Sequence, residues 1–134
     1  MFFVVKRATL LIASGPASDP NKKHLFICLT DVVGTSKETL MVSVSTHRAG
    51  FPADDTCHLF AGDHPFIKHK SYIDYQNARV IEADKLVKGE RQGLLKAMDP
   101  LESSVFARVC YGLETSPFTA LKYLEFYQRA TGHE

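Results

Sequence analysis

His24-Leu25-Phe26-Ile27-Cys28-Leu29-Thr30 and Leu40-Met41-Val42-Ser43-Val44-Ser45-Thr46 are the two stretches on which the fold turns. The first is almost wholly apolar and too short for a helix, the pattern of a strand buried in mid-sheet. The second alternates in its latter half, with Val42 and Val44 on one face and Ser43 and Ser45 on the other. Gly34-Thr35-Ser36-Lys37-Glu38 between them is turn-forming, so 24–31 and 39–46 are expected to pair as an antiparallel hairpin.

Upstream, residues 2–13 are rich in Phe, Val, Leu and Ile and broken by Lys6-Arg7-Ala8-Thr9, which reads as one bent strand or two short ones. Ser14–Asn21 is turn-forming throughout and predicts a surface loop. Downstream, His47–Asp55 reads as a polar loop. Cys57-His58-Leu59-Phe60 is a short strand stopped by Gly62-Asp63 and by Pro65, which cannot donate to a ladder. Tyr72–Tyr75 and Ala78–Glu82 are two further strands or one bent strand. Asp99-Pro100-Leu101-Glu102 has the form of a helix start, with Asp as N-cap, and Gly112 is the expected stop. Ser116-Pro117 opens a second helix in the same way, with Phe118, Leu121 and Leu124 on its apolar face. Strands first and helices last predict an α+β fold, a mostly antiparallel, partly closed β-barrel followed by a C-terminal helical hairpin.

The 134 residues suit one domain, divided into a barrel over 1–86 and a helical tail over 87–134. No run of about 18 apolar residues exists, so no membrane span is expected. Lys6-Arg7 follows the first apolar run instead of preceding it, the reverse of a signal peptide. Cys28, Cys57 and Cys110 are odd in number and lack C-x-x-C spacing. Reduced thiols in a cytoplasmic protein are the expectation, two of them buried. A formal net charge of +1 does not advertise a polyanionic partner. A local basic patch can still form from Lys22-Lys23-His24 and Lys68-His69-Lys70.

His58, Asp63, His64 and His69 fall within twelve residues, and imidazole with carboxylate suits a transition metal. Pro65 and the absence of H-x-H or H-E-x-x-H spacing argue against a metal site, and neither metal nor other cofactor is expected. Cys57 and His58, as strand neighbours, point to opposite faces and cannot form a nucleophilic pair. Metal-free RNA cleavage needs a base for the 2′-hydroxyl, an acid for the leaving oxygen and a cation at the phosphate. Ser45-Thr46-His47-Arg48 offers hydroxyls, an imidazole and a guanidinium at a strand end. His64, Lys68 and His69 are expected across from it, and Tyr72 could stack a base. The Gly62–Tyr72 segment is thus expected to form one wall of a groove and Ser45–Arg48 the other.

The two opening stretches, together with Ser71-Tyr72-Ile73-Asp74-Tyr75 and the Val80–Leu86 segment that follows, resemble the MazF/PemK-type endoribonuclease toxins. The resemblance implies an SH3-like barrel acting as a homodimer, with single-stranded RNA as substrate and an antitoxin as protein partner. It also implies that Thr46 or Ser45 lies beside the scissile phosphate and that Lys23 or His24 stands where the family carries an Arg-Pro step. In that scheme Arg48 stabilises the phosphate, His47 or His64 serves as acid or base, and Thr46 positions the substrate. The competing expectation is a non-enzymatic SH3-like module that binds a protein.

Overall fold

The central strands are apolar on both faces, so the sheet must be covered on both sides. In the computed structural model, which describes residues 2–13, 18 and 22–132, it is. The strands are β1 (Thr9–Ala13), β2 (Lys23–Cys28), β3 (Glu38–Thr46), β4 (His58–Leu59), β5 (Ser71–Glu82) and β6 (Leu95–Met98). They form one antiparallel sheet in the order β4-β5-β3-β2-β1-β6, curled into a half-barrel. The helices are α1 (Ala83–Arg91), α2 (Ser103–Thr115) and α3 (Leu121–Thr131).

The expected hairpin is present, with Leu25 opposite Val44 and Cys28 opposite Met41. Leu25, Ile27, Leu40, Val42, Val44, Ile73 and Tyr75 face one layer, closed by Val105, Val109 and Leu113 of α2 and by Phe126 and Tyr127 of α3. Leu10, Phe26, Cys28 and Met41 face the other, covered by Val4 and by Leu86 of α1. Among them, full burial of a large side chain such as Leu10, Leu25, Ile27 or Leu40 contributes about 1.5–3 kcal/mol relative to exposure. Two-sided burial explains why Leu25–Leu29 shows no alternation.

Several expectations change. Of residues 2–13 only Thr9–Ala13 is strand; Arg7, at a left-handed φ of 76°, turns the chain into it. The Ser14–Asn21 loop lies outside the described residues, Ser18 excepted. Tyr72–Glu82 is one strand with an irregularity: Met41 pairs with Arg79 but Ser43 with Asp74. There Asn77 Nδ2 donates to Asp74 Oδ2 at 2.8 Å, bridging the extra residues. The division at residue 86 does not follow the sheet, because β6 comes from the expected helical tail and pairs with β1. Leu95–Met98 is too short to announce itself; its partner edge makes it a strand.

The first tail helix starts later than expected. Leu101 is fully buried, and its N–H donates to the Arg7 carbonyl while its own carbonyl accepts from Arg7 Nε. The backbone is thereby committed to the N-terminal segment, and Glu102 becomes the cap, accepting from the Ser104 and Val105 amides. Gly112 does not end α2, which runs on to Thr115, and Ser116-Pro117 is a turn before α3. All three cysteines are buried and reduced, one more than expected. No helix among the described residues is long and apolar enough to cross a membrane.

Candidate functional site

Strand alternation puts His24, Ser45, Tyr72 and His58 on the same face of the sheet. In β2 Leu25 and Ile27 face the layer under α2 and α3, so His24 lies on the opposite face with Phe26 and Cys28; by the same parity Ser45 faces away from Val44, and Tyr72 away from Ile73. Tyr72 pairs with Ser45 on one side and with His58 on the other. Continuing the Leu25–Val44 register brings His24 alongside Ser45. The result is a row across four strands: His24, Ser45, Tyr72, His58.

A cleft of about 280 Å³ opens over the first three. Lys22 and His24 form one side, and Ser45 and Thr46 lie at the end of β3. Arg48, Phe51 and Pro52, from the loop after β3, close the other side against Tyr72. Burial of the His24 ring, reinforced by the Lys22 charge and opposed by Asp74, holds its pKa below the ordinary histidine range. The ring is therefore biased toward its neutral form. A second depression of about 210 Å³ shares Pro52 and Tyr72 with the cleft and continues over Asp74, Gln76, Asn77 and Phe118. The cleft thus presents cationic side chains, an imidazole and hydroxyls, and the adjoining depression amide, carboxylate and aromatic groups.

Five residues expected at the site line this cleft: His24, Ser45, Thr46, Arg48 and Tyr72. Five do not. His64 is buried, 2% exposed, inside the fold. Its Nδ1 accepts the Phe66 amide at 3.0 Å, which assigns the ring proton to Nε2; that N–H donates to the Asp99 carbonyl at 2.7 Å. Thr9 Oγ1 donates to the same carbonyl at 2.6 Å. His64 thus ties the loop after β4 to the segment before α2, and its expected catalytic role is corrected to a structural one. Lys68 and His69 are exposed away from the cleft, so the Gly62–His69 segment is not its wall. Lys23, exposed opposite Ala13, has the parity of the other face.

His47 is turned away from the cleft lining. Its Nε2 lies 3.7 Å from Asp55 Oδ1, and His58 Nε2 lies 3.0 Å from the same oxygen. The two imidazoles meet edge to face at 5.5 Å between centroids, and His47 packs on the Tyr72 ring at 6.5 Å. Sequence reasoning took His58 with its downstream neighbours and missed this grouping. The legible signals were the Asp55-x-x-His58 spacing and the shared parity of Ser43, Ser45 and His47. Lys22, Phe51 and Pro52 were also missed as cleft residues, since only the curl of the sheet brings them to Tyr72.

Cys57 faces the core while His58 faces the row, as their adjacency in a strand requires. Burial pushes the Cys57 thiol up, and Cys28 is pushed up to about 12, so neither is a ready nucleophile. A cavity of about 690 Å³ lies between the N-terminal segment and β6. It lacks histidine and cysteine, and the one hydroxyl on its wall, that of Thr9, is already given to the Asp99 carbonyl. The chain matches no protein-family model, no curated protein and no solved structure.

Proposed function

We propose that this protein is a toxin-like, metal-independent endoribonuclease that holds single-stranded RNA in the Lys22–Tyr72 cleft. The observation that carries the reading is the cleft's composition: Lys22, Arg48, a His24 ring biased toward its neutral form and the hydroxyls of Ser45 and Thr46 converge beside the Tyr72 ring. In this scheme the phosphate lies against Lys22 and Arg48. His24 takes the 2′-hydroxyl proton, the 2′-oxygen attacks phosphorus, and the bond to the 5′-oxygen breaks. The 5′-oxygen takes its proton from solvent in the open cleft, leaving a 2′,3′-cyclic phosphate. A base stacks on Tyr72 or Phe118 and meets Asp74, Gln76 and Asn77 at its edge. Under the same reading the curled sheet is an SH3-like half-barrel, and the protein works in the cytoplasm under an antitoxin.

The competing reading, a non-enzymatic module that binds protein, is favoured by apolar side chains left outside on the tail: Tyr111 is 70% exposed and Leu121 68%. The same surface would serve a homodimer or an antitoxin. One assay separates the readings. Purified protein incubated with single-stranded RNA in EDTA is expected to release fragments with cyclic-phosphate ends, and Arg48→Ala and His24→Asn are each expected to slow this at least a hundredfold. Intact RNA after incubation with the wild-type protein would refute the ribonuclease and leave the binding module.

A further inference from the structure

We propose that His47, Asp55 and His58 form a binding site for a divalent transition metal, zinc being the ion their chemistry suits best. The inference does not rest on the ribonuclease reading.

The geometry comes first. One ligand atom from each residue lies within 4.8 Å of the other two, and both Nε2 atoms converge on Asp55 Oδ1, at 3.0 and 3.7 Å. Donors around a single ion bound at about 2.0–2.1 Å stand roughly 3–3.5 Å apart, so small side-chain rotations complete the set. The two imidazoles are borderline donors that favour zinc over magnesium or calcium, and a carboxylate is a common third zinc ligand. Three protein ligands leave a coordination position open, and Asp55, 73% exposed at its side chain, gives solvent access to it.

The backbone carrying the ligands is held in place. The His47 amide donates to the Lys70 carbonyl at 2.9 Å, and the Cys57 carbonyl accepts from Ile73 at 3.1 Å. Asp54, next to the carboxylate ligand, is buried; its Oδ1 accepts the Thr56 amide at 2.9 Å and its Oδ2 accepts the Ser116 hydroxyl at 2.6 Å. The 54–57 turn is thus anchored to the end of α2, and the site is preorganised without the ion. The ion would join the two ends of the loop bearing Arg48, Phe51 and Pro52, stapling this wall of the cleft to β4.

The test uses the full chain stripped with EDTA and desalted, without RNA. Titration with Co²⁺ is expected to give a d–d absorption band that saturates at one equivalent and is displaced by Zn²⁺. Calorimetric titration with Zn²⁺ is expected to show one site. His47→Ala and His58→Ala should each weaken Zn²⁺ binding at least tenfold, Asp55→Asn at least fivefold, and His69→Ala less than twofold. Arg48→Ala should bind Zn²⁺ as wild type does, which separates this site from the RNA cleft. The three ligands are not core residues, and circular dichroism of each metal-free variant is expected to match wild type. Zinc should raise the Tm of wild type but not of His58→Ala. Absence of a stoichiometric Co²⁺ band would overturn the proposal. So would binding that survives both histidine substitutions, or that falls equally with His69→Ala.

Discussion

His24 and His64 place the same side chain in opposite circumstances. His24 lines an open cleft with its pKa lowered by burial and by Lys22. Under the proposed ribonuclease mechanism only the neutral ring accepts the 2′-hydroxyl proton, so a lowered pKa keeps that base competent to a lower pH. The acid limb of kcat/KM for RNA cleavage is therefore expected to have its midpoint below 6.5, the ordinary histidine value, and to vanish with the residual activity of His24→Asn. A midpoint above 6.5 would exclude His24 as the base. His64 spends both ring nitrogens on backbone groups. His64→Ala leaves the Phe66 amide without its acceptor and opens a buried gap, a loss of about 2–4 kcal/mol. Thermal denaturation is expected to show a Tm lower by on the order of 10 °C. An unchanged Tm would contradict this placement. Nothing in the local sequence separates these two histidines. Residues near Thr9 and Asp99 decide the fate of His64, and they lie 55 and 35 positions away.

At the scale of elements, the meeting of α2 with β5 is the most exacting contact. Tyr75 is fully buried and donates its hydroxyl to the Val109 carbonyl at 2.6 Å. Its phenol ring and Cys57 Cβ occupy the space where a side chain at position 112 would begin. Helix propensity alone favours alanine over glycine in mid-helix by about 1 kcal/mol. Packing predicts the opposite sign: Gly112→Ala should destabilise by about 2–3 kcal/mol in denaturant melts. Tyr75→Phe removes the nearest atom, so in that background the same change should cost at least 1 kcal/mol less. Stabilisation by Gly112→Ala would contradict the packing. Glycine at 112 therefore resembles a helix stop in the sequence but is a site of close approach. The strands were easier to read, because Val42 and Val44 alternate and Leu25–Leu29 is bounded by polar turns. β6 was not, since it is only four residues long and pairs with β1 across more than 80 residues.

For the whole molecule, the α+β class and the central hairpin were legible because burial writes itself into local pattern. At the candidate site the sequence offered Ser45, Thr46, Arg48 and Tyr72 as hydroxyls, a cation and an aromatic ring, and His24 only through the family resemblance; that they line one cleft follows from strand register. The rest depends on where the loop after β3 folds back, which sets Arg48, Phe51 and Pro52 over the cleft and turns His47 toward Asp55 and His58. The central claim is that this cleft grips a phosphate backbone, and its most direct test is binding of a 2′-O-methyl RNA, which cannot be cleaved. Fluorescence anisotropy across a salt series is expected to show log Kd rising linearly with log salt. Arg48→Ala should weaken binding at least tenfold and reduce the salt slope by about 1. Lys68→Ala, outside the cleft, should bind within twofold of wild type. Failure of the wild-type protein to bind, or equal losses in Arg48→Ala and Lys68→Ala, would contradict the account.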